Sequence, residues 1–61
     1  MTAIASPDDI SRARHLLTER QYEAWKLWIT GLGYRRIATL LNIRPDTVRD
    51  HVREAQRKLD Q

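Results

Sequence analysis

Gly33–Leu59, GYRRIATLLNIRPDTVRDHVREAQRKL, is the stretch whose reading decides the fold. Ile37, Ala38 and Leu41 recur at helical spacing, so a short helix is predicted over 34–41. Asn42 follows its last turn, and asparagine tolerates the left-handed conformation that such a turn needs. Ile43 then returns to the interior as an apolar plug, and Pro45 is favoured at a first helical position. From there Val48, Val52, Ala55 and Leu59 form a narrow stripe at about 100° per residue. That predicts a longer helix over 45–59, with Asp46, Asp50, Arg53 and Arg57 opposite the stripe and Arg49 at its edge. Two helices joined by so tight a turn make a helix-turn-helix pair.

The charge distribution gives that pair a purpose. The chain has 61 residues and a formal net charge of +3. Residues 1–33 balance Arg12, Arg14, Arg20 and Lys26 against Asp8, Asp9, Glu19 and Glu23. The excess therefore lies in the second half, as Arg35, Arg36, Arg44, Arg49, Arg53, Arg57 and Lys58. Arginine is suited to bidentate contacts with phosphate and guanine, so this bias favours a nucleic-acid partner over a salt-laced solvated surface. Arg49, Arg53 and Arg57 form a cationic ridge at i, i+4 spacing, where like charges repel. Asp50 with Arg53, and Glu54 with Lys58, are expected to offset that repulsion. Asp46 and Asp50 would approach phosphates unfavourably unless they accept from cytosine N4 or orient nearby arginines. That points to a sequence-selective reader rather than a DNA-coating protein, and leaves a protein partner in play.

Upstream, Thr18 and Gln21 have the spacing of a capping box, with Leu17 and Tyr22 placed as a hydrophobic staple. A helix over 19–31 follows, ending at Gly31, a good left-handed terminator. Tyr22, Trp25, Trp28, Ile29 and Leu32 make its buried stripe, with Ala24 and Leu27 at the margins. The helical spacing favours core packing of both tryptophans over a base-stacking platform. Before it, Ser6-Pro7-Asp8-Asp9 is a helix start, and a first helix is predicted over 7–16. Its buried face is Ile10, Ala13 and Leu16 or Leu17. Residues 1–5 lack periodicity and read as a disordered tail, leaving 6–61 as one domain. Leu40 points outward, so either helix one covers it or it is a contact.

The expected class is thus a small all-α, four-helix domain. A chain this short buries only about 60% of its unfolded surface. With no cysteine to form a disulfide or thiolate zinc site, packing by two tryptophans and two tyrosines must carry the stability. His15 and His51 are the only imidazoles and lie far apart in sequence, which argues against a metal centre, and no cofactor is expected. The chain has no glycine-rich phosphate loop and no Ser/His/Asp set close on one face, so an enzyme is not expected. No stretch is apolar enough to span a membrane, and the start lacks a signal-peptide pattern; with cysteine absent, a cytoplasmic protein is expected.

Residues 17–59 resemble the C-terminal DNA-binding domain of the LuxR/GerE/NarL regulators, and are also similar to region four of bacterial sigma factors. The shared frame is LT-x-RQ-x-E in Leu17–Glu23, Gly31-Leu32, IA-x-x-L in Ile37–Leu41, Ile43, and TVR-x-HV with a final KL between Thr47 and Leu59. The resemblance implies base-reading positions at Arg49, Asp50 and Arg53 with Asp46 nearby. It implies phosphate contacts at Tyr34, Arg35 and Thr47; the positions of Arg44 and Arg57 add to these. His51 matches a LuxR-type histidine and, beside the Val48/Val52 stripe, is expected to be partly buried.

The chain departs from the family pattern in several places. Arg44 stands where a capping serine or threonine is usual, and Gly33 where a serine caps helix three. Arg36 replaces a glutamate that would pair with Arg20, so two arginines are expected to face each other. Family domains continue into a further helix that mediates dimerisation, whereas this chain carries a helix ahead of the shared part. Several arrangements stay open: monomeric binding, as in sigma region four, action beside RNA polymerase, or a homodimer through helix one or the Trp28/Leu40 surface. A fragment or a small phage-encoded protein fits equally. The alternative function is a sigma-region-four-like interaction module acting on RNA polymerase or in a phage assembly or packaging complex.

Overall fold

Four helices are linked by turns so short that each must pack on its neighbours. In the computed structural model, which describes residues 7–60, they are α1 (Pro7–Leu16), α2 (Glu19–Ile29), α3 (Tyr34–Leu41) and α4 (Pro45–Leu59). The expected Ser6 cap and the tail of residues 1–5 lie outside the described residues.

The start of α2 follows from its sequence. The Thr18 hydroxyl accepts from the Gln21 backbone N–H at 3.2 Å, and the Thr18 N–H donates back to Gln21 Oε1 at 3.2 Å. Leu17 and Tyr22 join one hydrophobic cluster, as a staple requires. The helix ends at Ile29, two residues before the expected end at 31. Thr30 is the cause: it takes the C-cap, its N–H bonds back to Leu27 and Trp28, and its hydroxyl donates to the Leu27 carbonyl at 2.6 Å. Gly31 therefore lies just beyond the helix, with φ 106.

α2 packs against all three other helices, and α4 does the same. The interior divides into two lobes. One holds Ala24, Ile37, Ala38, Val48 and Val52, with Leu27, Leu32, Tyr34, Leu41 and Ile43 against it. The other holds Ala13, Leu17, Trp25 and Ala55, with Ile10, Tyr22, Ile29 and Leu59 against it. Trp28 touches both. Ala24, expected at the margin of α2, is instead fully buried. Its small side chain lets α3 and α4 approach, so the centre of the face is set by closeness of packing rather than by side-chain size. Trp25 is buried as expected, and Leu17 rather than Leu16 completes the inner face of α1.

α1 lies across α2 and the end of α4, where Arg12 donates to the Leu59 carbonyl at 3.1 Å. It makes no packing contact with α3, so it does not cover Leu40, which is 60% exposed. Of the two readings of Leu40, cover by helix one is excluded.

Candidate nucleic-acid interface

The turn between α3 and α4 sets the angle at which α4 is presented. Asn42 adopts φ 59, ψ 46, the left-handed conformation expected of it. The Ile43 N–H reaches back to the Ala38 carbonyl at 3.0 Å, a bond that closes the end of α3 and turns Ile43 onto the core. Arg44 is then the N-cap of α4 and Pro45 its first residue. Neither Arg44 nor Gly33 supplies a side-chain cap, in line with the missing serine or threonine at both places. α4 starts on Pro45 and on Asp46 at the positive end of the helix dipole.

Val48, Val52 and Ala55 are buried, with Leu59 half-buried behind them. Anchored along that stripe, α4 exposes Asp46, Arg49, Asp50, Arg53 and Arg57. Asp50, Arg53, Glu54 and Arg57 line a shallow, open depression along one face of α4. The phosphate-contacting candidates fall into two kinds. Arg35 and Arg44 are exposed, whereas Tyr34 and Thr47 are half-buried, with Tyr34 packed against the first core lobe. His51 is half-buried, as its place beside Val48 and Val52 requires.

The ion pairs differ from those expected. Arg57 donates to Glu54 Oε1 at 2.6 Å, and Arg49 lies 4.0 Å from Asp50. Lys58 does not reach Glu54; it donates to Gln21 Oε1 at 2.9 Å. The reason is tertiary. Lys58 sits on the flank of α4 that meets the first turn of α2, where Gln21 already presents its oxygen to the capping box. Glu54 is thereby left to Arg57, three residues on. The Glu54 carboxyl is held below the usual carboxylate range chiefly by that hydrogen bond, and the Arg57 guanidinium is correspondingly raised. Arg53, expected to pair with Asp50, has no partner among the described residues.

Arg20 has acceptors of its own near the position where Arg36 was expected to face it. The Arg20 guanidinium turns to Glu23 at 3.8 Å and to the Leu41 carbonyl, at the C-terminal end of α3, at 3.5 Å. A cation there meets the negative end of the α3 dipole. Arg35, Arg36 and Arg44 join Arg53 as cations without an intrachain partner among the described residues. The Glu54–Arg57 contact was open to sequence reading, since acid and base at i, i+3 are neighbours on a helix. The Gln21–Lys58 contact carried no such signal.

A four-helix core whose last helix follows a tight turn and exposes an arginine-bearing face defines a helix-turn-helix protein. The chain belongs to the LuxR family: the GerE family model, described as bacterial regulatory proteins, luxR family, matches residues 15–60. It is accordingly a DNA-binding transcription regulator at the level of that family. No curated protein and no solved structure matches the chain. No helix among the described residues is long and apolar enough to cross a membrane.

Proposed function

We propose that this protein is a sequence-selective regulator that reads double-stranded DNA by seating α4 in the major groove. The observation that carries the reading is Arg53. It is exposed in mid-helix on the face opposite the buried stripe, and it has no partner within the described chain to give up on binding. Arg49, Asp50 and Arg53, with Asp46 nearby, are the base-reading residues of this proposal; Tyr34, Arg35, Arg44, Thr47 and Arg57 are its phosphate contacts. Residues 6–61 act as a single domain in a DNA-containing bacterial or phage-infected cytoplasm, with no catalytic role.

Selection of bound sites from random duplex DNA tests this reading. A palindromic site supports a two-fold homodimer, and a single half-site supports binding as a monomer or beside RNA polymerase. Arg53→Ala is expected to weaken the selected site by about 1–3 kcal/mol and to relax preference at one position. Arg35→Ala should weaken all duplexes alike and lower the salt slope by about 0.9. If no sequence is enriched and both variants bind as the parent does, the proposal fails.

A second reading is favoured by Leu40, a large apolar side chain that no other element covers. It offers α3 as a surface for a protein partner, RNA polymerase or a second copy of the chain. In that reading Leu40→Ala impairs transcriptional output or self-association and leaves intrinsic DNA affinity intact.

A further inference from the structure

The three arginines in line on α4 are not in the same state. Arg49 lies at 4.0 Å from Asp50, Arg57 is bonded to Glu54 at 2.6 Å, and Arg53 between them has no partner among the described residues. The Glu54–Arg57 contact is at the short end for a charge-assisted hydrogen bond. Yet both side chains are open to solvent, 45% and 63% exposed, so the pair is accessible to a competitor. A DNA phosphate is such a competitor, because it offers the same charge and acceptor oxygens in a geometry that guanidinium matches. Glu54 and Arg57 also line one depression with Arg53 and Asp50. A phosphate entering there meets the carboxylate and the guanidinium together.

We infer that Glu54 is a specificity-determining residue: its carboxylate withholds Arg57 from DNA phosphates unless the duplex seats α4 closely, and so suppresses sequence-independent binding. The inference rests on the DNA-reading function proposed above and deepens it. Loosely seated DNA presents phosphates at longer range, where screening by salt and water leaves Arg57 with its neighbouring carboxylate. Closely seated DNA brings a phosphate into the depression itself, and Arg57 exchanges one anion for another. Arg53 needs no exchange in either case.

The test measures binding of a random-sequence duplex and of a selected duplex over a salt series, for the parent, E54Q, R57Q and E54Q/R57Q. Circular-dichroism melts establish that each variant is folded. E54Q is expected to bind the random duplex about fivefold more tightly at 0.1 M salt, with a salt slope steeper by about 0.9. The selected duplex gains less, so the ratio between the two narrows. R57Q is expected to weaken the selected duplex in the parent, and to abolish the random-duplex gain in the E54Q background. Two results would overturn the inference while leaving DNA reading in place. One is no gain in E54Q; the other is a gain that persists in the double variant, which would assign the effect to the charge of Glu54 alone. A parent that binds no duplex in a salt-dependent manner overturns the proposed function itself.

Discussion

Gly31 and Gly33 are two residues apart and do opposite things. Gly31 has φ 106, a conformation that L side chains rarely adopt, although a Cβ there would meet no atom within 4 Å. Gly33 has φ −78 and ψ 166, ordinary extended backbone, and its Cβ position is equally open. Gly31→Ala is therefore expected to cost about 1–2 kcal/mol through the backbone alone. Gly33→Ser should cost nothing and gain a few tenths of a kcal/mol or more, by supplying the cap that α3 lacks. Thermal melts check both, since each kcal/mol moves the midpoint by about 4–8 °C in a domain of this size. Shifts of opposite sign are the diagnostic; a Gly31→Ala midpoint at or above the parent's would refute the left-handed turn. The left-handed roles of Gly31 and Asn42 were legible in the sequence, because few residue types tolerate that region. The earlier end of α2 was not, because it depends on where the Thr30 hydroxyl finds an acceptor.

α4 shows which features of an element its own sequence contains. Its apolar stripe repeats at helical spacing, so its buried face and hence its outer face could be read directly. The pairing of its charges could be narrowed to neighbours at i+3 and i+4 but not settled. Glu54 has a base at both i+3 and i+4, and the choice between Arg57 and Lys58 is made by Gln21, thirty-seven residues from Lys58. A tertiary neighbour thus settles a local contest, and it leaves Arg57 rather than Lys58 beside the acid on the candidate DNA face. This has a pH signature in the free protein. Because the Glu54 carboxyl is depressed in the folded state, its pairing favours the folded state at pH above the ordinary glutamate value. That contribution is lost as pH falls through the depressed folded-state value. In a side-chain carboxyl titration followed by NMR, the Glu54 midpoint of the parent is expected below the usual glutamate range. Arg57→Gln should move it upward, since the Arg57 hydrogen bond is the largest cause of the depression. A midpoint that ignores the Arg57 substitution would place the pair outside the solution structure.

At the scale of the whole molecule, two small lobes share one stability. The lobe under α3 and the first half of α4 positions the turn and Arg53; the lobe under α1 and the last turns of α4 holds that helix from behind. α4 runs through both, and Trp28 is the side chain that touches both. That architecture explains why the helix-turn-helix and its exposed face were readable while the surface around Leu40 was not. Leu40 falls on the outer side of its helix, and only the placement of α1 shows that no helix among the described residues covers it. It also makes a prediction about cooperativity. A domain of this length holds only about 3–9 kcal/mol in total, and truncating a large buried aromatic costs about 3–5 kcal/mol. Trp28→Ala, although Trp28 is only partly buried, removes the contact common to both lobes. It is expected to lower the melting midpoint by more than 10 °C, at about 4–8 °C per kcal/mol, and to broaden the transition. Leu40→Ala should stay within about 0.5 kcal/mol of the parent, as an exposed substitution does. The effect on DNA follows from the same cause. Trp28→Ala weakens apparent affinity by depleting the folded fraction, so its salt slope matches the parent's, whereas Arg35→Ala changes the slope and leaves the melt alone. Calorimetry of the two core and surface variants beside their salt titrations separates these outcomes. A Trp28→Ala protein that melts as sharply and as high as Leu40→Ala would show that the lobes do not depend on their shared tryptophan.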